Sequence, residues 1–178
     1  MKKHLVISAL GVDRPGIVKS VSKQILDAGG NVSDSRMSVL GDEFALIMLV
    51  DGTDTVINSI ISLLPSIEKE LGLTVMSKQT TKQSDLEAKS GSRLPYIAEV
   101  VAMDNPGIVH EVSEFLSSRN VNVEELATGS YPAPHTGTTM FSMEMSISIP
   151  SDTNISSFKS DFYDFCDEIN LDVTLSAH

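Results

Sequence analysis

Asp13, Pro15 and Gly16 are followed at once by Ile17 and Val18, and the same residues return as Asp104, Pro106, Gly107, Ile108 and Val109. Their types and spacing suit a definite chemistry. Proline and glycine at a helix entry preset one backbone angle, turn the chain tightly and leave no Cβ in a ligand's way. The free N–H groups that come next, from Gly16 and Ile17 or from Gly107 and Ile108, carry the positive end of a helix dipole and suit a carboxylate. Asp13 or Asp104 nearby suits an ammonium. The turn therefore offers complementary charges to the two ends of an α-amino acid. Asp, Pro and Gly are also ordinary helix-start residues, and a duplicated fold repeats its structural turns, so residue types alone leave a capping role open as well.

The repeat extends beyond the turn. Residues 13–36 align without a gap on 104–127, matching Val21, Ser22, Asn31 and Val32 with Val112, Ser113, Asn122 and Val123 in addition. Such self-similarity marks an internal duplication. In the first copy, residues 4–10 predict a strand, and Ile17, Val18, Val21, Ile25 and Ala28 give one apolar helical stripe that stops at Gly29-Gly30. Residues 32–40 predict a second strand and Gly41-Asp42 a hairpin turn. The run 44–50 is apolar on both faces, as expected of a central strand covered on both sides. Val56, Ile57, Ile60, Ile61 and Leu64 give a second helix that Pro65 is expected to limit, with a further turn through Glu68 and Leu71 left open by the sequence, and residues 73–78 a closing strand. Polar, aperiodic residues 81–93 read as a linker between domains at 1–80 and 94–178.

The second copy repeats the order: strand 96–102, a helix with Ile108, Val109, Val112, Phe115 and Leu116 inward, and strand 123–128. Ser130 to Gly137 then replaces the tight turn with a longer, proline-stiffened loop. Residues 141–149 alternate apolar and polar, predicting a strand with one wet face. A helical stripe from Ile155 to Ile169 and a strand at 172–175 complete it. Each half reads βαββαβ, an α+β, ferredoxin-like unit with two helices on one face of an antiparallel sheet.

Composition excludes several classes of function. The net charge of −11, from 24 acidic against 13 basic residues, together with 5% aromatics and no Trp, disfavours direct contact with nucleic acid or anionic membranes. No stretch is long enough to span a bilayer, and the single cysteine, Cys166, suits a reducing compartment, so a cytoplasmic location is expected. Domains of about 80 residues bury only roughly 60 to 65% of their unfolded surface, so self-association is expected to add core.

Tandem βαββαβ units with Pro-Gly opening the first helix resemble tandem ACT domains, regulatory modules that commonly bind amino acids. More closely, residues 5–18 (LVISALGVDRPGIV), with Asp34-Ser35-Arg36 and Leu40-Gly41-Asp42-Glu43-Phe44, are similar to the family of glycine cleavage system transcriptional repressors of enteric bacteria. The first copy carries most of that specificity and the second matches mainly in layout. The paired turns, with no catalytic set, phosphate-binding loop, nucleophile elbow or zinc signature in the sequence, lead to the expectation of a regulator without catalysis or cofactor; the resemblance adds how it would work. It would act on a LysR-type activator of the glycine cleavage operon, with glycine relieving repression. It also implies a ligand where the strand 1 to helix 1 turn of one domain faces the strand 2 region of a neighbour. That gives Asp13, Arg14, Pro15, Gly16, Ile17 and Asn31 as one set, and Asp104, Asn105, Pro106, Gly107, Ile108 and Asn122 as the other. The copies depart at Asn105, which stands for Arg14, and at Asn120-Val121, which stand for Gly29-Gly30, so equivalence of the two sites is not implied.

Two other functions fit the layout. One is a regulatory subunit docked on an enzyme of amino-acid metabolism. The other is an acylphosphatase-like hydrolase, for which Arg14 in the first loop is the single echo. Cys166 sits among the apolar residues of the last helix and reads as a buried structural thiol. His4, His110, His135 and His178 lack ligand spacing, so no metal site is expected.

Overall fold

A computed structural model describes residues 2–81 and 92–178. Most of the expected linker lies outside the described residues. The chain divides into two units, each with its own core.

In the first unit, alternation along β1 (Lys3–Val12) sends Leu5, Ile7 and Ala9 to one face. There they meet Ile17, Val21 and Ile25 of α1 (Ile17–Asp27) and Ile57, Ile60, Leu64 and Ile67 of α2 (Asp54–Leu71). With β2 (Asn31–Leu40), β3 (Glu43–Gly52) and β4 (Thr74–Thr80), β1 forms an antiparallel sheet in the order β2-β3-β1-β4. The second unit repeats this order as β6-β7-β5-β8. Its elements are β5 (Arg93–Met103), α3 (Ile108–Ser118), β6 (Asn122–Pro132), β7 (Thr139–Pro150), α4 (Ile155–Glu168) and β8 (Asp172–Ala177). The fold is therefore two ferredoxin-like βαββαβ units, as the patterning predicts. Their cores differ in chemistry: the first is aliphatic apart from Phe44 and Met48, whereas Phe115, Phe158 and Phe162 add a group of rings to the second, with Phe115 stacked on Phe165 at 4.7 Å.

Among the described residues all four helices end the same way. A residue of positive φ follows each, Gly29 (84°), Gly72 (61°), Asn120 (57°) and Asn170 (58°), and the next N–H returns to a carbonyl inside the last turn. Examples are Gly30 N to Ile25 O at 2.9 Å and Val121 N to Leu116 O at 3.0 Å. Asparagine tolerates this left-handed conformation better than most side chains, so Asn120 replaces Gly29 without changing the stop.

The structure departs from the sequence reading at four places. Pro65 does not end α2, which runs on to Leu71. Buried Ile67 in the turn beyond it gives that turn a tertiary partner, which outweighs the lost backbone bond. The apolar strand β3 is covered on one face only: Phe44, Leu46, Met48 and Val50 are buried, but Ile47 on the other face is 49% exposed. One helical layer covers only one side of the pleat, and Ile47 is flanked there by Ser8 and Arg36 on the neighbouring strands. β6 runs through Ser130, Tyr131 and Pro132 before the chain turns, so the hairpin arm is longer and its loop shorter than expected. Finally, Arg93 opens β5 and does not belong to the connecting segment.

Gly30 is small because the helices need the space: a Cβ there would lie 2.7 Å from Ile60 Cδ1, 2.9 Å from Ile25 Cγ2 and 3.1 Å from Val50 Cγ1. The second copy has buried Val121 at this position. Gly30→Val is expected to overpack the first core and to destabilise it by about 1 to 3 kcal/mol, read from urea unfolding.

Candidate functional site

Both repeated turns are built around a glycine that no other residue replaces without strain. Gly16 has φ 95° and ψ −5°, and Gly107 φ 104° and ψ −15°. With proline before it, each glycine takes the third position of a type II turn, where positive φ is required. It is also the N-cap, so Pro15 and Pro106 stand just ahead of the helices and not in their first turns, a shift of the expected helix start.

The consequence is an open helix end. Thr53 caps α2 by accepting from Val56 N at 3.3 Å, and Asn154 caps α4 by accepting from Ser157 N at 3.1 Å. α1 and α3 have no side-chain cap. The first helical bond of α1 is Ser20 N to Gly16 O, 2.9 Å, which leaves the N–H groups of Ile17, Val18 and Lys19 without a helical acceptor. Nothing lies within 4 Å of where a Cβ on Gly16 would stand. The side chains of Ile17 and Ile108 are buried, so these two residues offer a ligand their backbone only. Asp13 N donates to Asp42 O, and Asp104 N to Thr139 O, both at 2.9 Å, pinning each turn to the neighbouring hairpin.

Beyond this frame the turns differ. Arg14 Nη2 donates to the carbonyl of Leu71 at the end of α2, 2.6 Å away; Asn105 makes no such bond among the described residues. Asp104 Oδ2 accepts from Ser130 Oγ at 3.3 Å, a contact the sequence reading missed because it placed Ser130 in a loop. Glu111 adds a carboxylate to the first turn of α3, its Oε1 3.6 Å from a notional Cβ on Gly107, whereas α1 has no acidic residue in its first turn. A second anion is therefore disfavoured at α3 relative to α1.

Asn31 and Asn122 stand elsewhere within their units. Asn31 pairs with Asp51, which pairs with His4 at the start of β1, while the turn follows Val12 at the opposite end of that strand. Asn122 is placed equivalently, opposite Ser148.

Around Asn31 lies a polar cluster that sequence reasoning did not identify. Asp51 is only 3% exposed and accepts from His4 Nδ1 at 2.6 Å, Lys2 Nζ at 2.7 Å and Ser33 Oγ at 3.3 Å. Because a carboxylate only accepts, the His4 proton sits on Nδ1. Burial pushes the Asp51 carboxyl up, but its hydrogen bonds and ion pairs with Lys2 and His4 outweigh that and hold it below 3.8. In the second unit the partners are exchanged: Ser148 Oγ donates to Glu124 Oε1 at 2.8 Å, and Asn122 Nδ2 donates to the same oxygen at 2.7 Å. Ser33 and Glu124 are the bulged residues of β2 and β6, at identical places in the two ladders. The gapless alignment of the copies already pairs Ser33 with Glu124, which is the signal that could have pointed here.

Other groups have structural partners or none of the expected geometry. Cys166 is fully buried and its thiol is pushed up to about 12 by burial and by Asp167. Among the described residues no group of His, Cys, Asp or Glu could hold a metal ion, and no helix is long and apolar enough to cross a membrane. A cavity of about 450 Å³ in the second unit, lined by Glu99, Tyr163, Asp167 and Asp172 among others, includes none of the expected site residues.

The ACT domain family model matches residues 3–78, the first unit. The glycine cleavage system transcriptional repressor of Escherichia coli K12 is 30% identical over 176 residues, covering 98% of this chain and 90% of that protein. This chain belongs to that family of ACT-domain regulators. A crystal structure provisionally assigned as a glycine cleavage system transcriptional repressor is 25% identical, with a TM-score of 0.74 over 99% of this chain and 97% of that one. The crystal structure of an unknown protein from Galdieria sulphuraria is 27% identical, with a TM-score of 0.79 over 100% of this chain and 99% of that one. The likeness thus spans both units of this ACT-domain protein.

Two outcomes are expected. Gly16→Ala, forced to a φ near 95°, loses about 1 to 2 kcal/mol in urea unfolding, and Gly107→Ala loses a similar amount. For Asp51, a folded-state value held below the unfolded one gives stability that is present above about pH 4 and lost as pH falls through the folded value. Thermal melts of wild type and Asp51→Ser should therefore differ most near neutrality and converge only as the pH falls below the ordinary carboxylate range, through the lowered folded-state value.

Proposed function

We propose that this ACT-domain protein is an amino-acid-responsive repressor of the glycine cleavage system that binds a small amino acid, glycine first among them, at its repeated turns. The observation that carries this reading is the uncapped start of α1 beside Asp13: free N–H groups for a carboxylate, and an exposed carboxylate for an ammonium. The first unit is the stronger site, since Asp13 lacks the Ser130-type partner of Asp104 and α1 lacks the first-turn acid that Glu111 supplies to α3. Asn31 and Asn122 lie at the other end of their own sheets from the turns and are not needed for this reading.

The net charge of −11 supports action through a protein partner, a LysR-type activator, and not through direct contact with DNA. Ligand binding would bias one arrangement of the protein over another, and the partner would read that difference. The hydrolase reading has Arg14 as its single support, and one nitrogen of that guanidinium is committed to the Leu71 carbonyl.

A thermal-shift screen over the common amino acids tests the ligand. Glycine at about 100 times its dissociation constant should stabilise by roughly 2.7 kcal/mol, and Asp13→Ala should reduce the shift more than Asp104→Ala. No shift and no heat of binding with glycine would remove it as the effector.

A further inference from the structure

The turn of the first unit is anchored on two sides. On the sheet side Asp13 N holds Asp42 O, and on the helix side Arg14 holds Leu71 O. Leu71 is the last residue of α2, and its carbonyl belongs to the last turn, whose oxygens lack helical donors. A cation there also meets the negative end of the helix dipole. The corner is close-packed as well: a Cβ on Gly11, just before the turn, would lie 2.8 Å from Leu73 Cδ2 and 3.0 Å from the Gly72 carbonyl. Glu68 completes it, accepting Leu73 N at its carbonyl and Val75 N at its carboxylate, both 3.1 Å. The second unit has Asn105 in place of Arg14 and Ala102 in place of Gly11, and its turn lacks the tether.

We propose that Arg14 is a positioning residue that ties the ligand turn to the α2–β4 corner, so that an amino acid bound at Gly16 is felt at Leu73 and Val75. The inference rests on the amino-acid reading above. One guanidinium nitrogen is fixed on Leu71, and no other described partner engages the rest of the fork. Any change in the backbone of residues 13–16 on binding must either carry the guanidinium with it or break a charge-assisted bond to a helix end. The tether narrows the shapes open to the free turn, which raises affinity without adding a ligand contact, and passes the remaining adjustment on binding to the helix end. It also gives the first unit a path from the site to the end of its longest helix.

The test uses full-length wild type, Arg14→Ala and Arg14→Lys, each titrated with glycine by calorimetry and by amide NMR. In wild type, glycine should move the Ile17 and Val18 signals and also those of Leu73 and Val75. Arg14→Ala should bind roughly tenfold more weakly and keep the first pair of shifts while losing the second; Arg14→Lys, which restores a donor, should recover part of both. If wild type binds and Arg14→Ala matches it in affinity and in the Leu73 and Val75 shifts, the tether is overturned and the ligand reading stands. If wild type binds none of the common amino acids, the ligand reading falls and the tether with it.

Discussion

The positive φ at Gly16 and Gly107 is the constraint from which the two open helix starts follow. A side chain at a helix N-cap closes the first turn, as Thr53 and Asn154 do for α2 and α4. Glycine in a left-handed turn cannot, because it has no side chain to fold back. The chain leaves its first strand, reverses through the Pro-Gly pair and starts each helix with its donors facing outward. What surrounds the turn then decides what it can hold. In the first unit that is an exposed Asp13 and a tethered Arg14; in the second it is an Asp104 engaged by Ser130 and a nearby Glu111.

Much of the fold was legible because it depends on period. The helical stripes at Ile17, Val21 and Ile25, and the alternation at Met143, Met145 and Ile147, report burial on one face, and those residues do form the cores. The duplication then fixed the order of the elements. Where reading failed, a non-local term had overruled a local one. Pro65 is a helix breaker by its own chemistry, but burial of Ile67 beyond it keeps α2 going. The run around Ile47 is apolar on both sides, yet helices cover only one.

The site was legible to a different degree. Residue types marked the turn, and Gly16 and Gly107 take the positive φ that such a turn requires. The partners of Arg14 and Asp104 were not legible. Each depends on a residue far along the chain, Leu71 or Ser130, brought close by the return of α2 or the length of β6. The Asp51 cluster was hidden for a similar reason: a single acid ending an apolar strand has no pattern, and only the ladder places His4 and Ser33 around it.

The exchange of hydroxyl and carboxylate between Ser33 with Asp51 and Glu124 with Ser148 bears on how the halves drifted apart. Each pair keeps one acid and one alcohol, but on opposite strands. A chain that took β6 in place of β2 would set Glu124 against Asp51, two carboxylates side by side, where like charges repel and the charged form of each is disfavoured. The reverse transplant would leave Ser33 facing Ser148 with no anion for the neighbouring asparagine. The repeats therefore match in outline but can no longer trade strands: each has become a lock cut for its own key, and passing from one state to the other requires two replacements together.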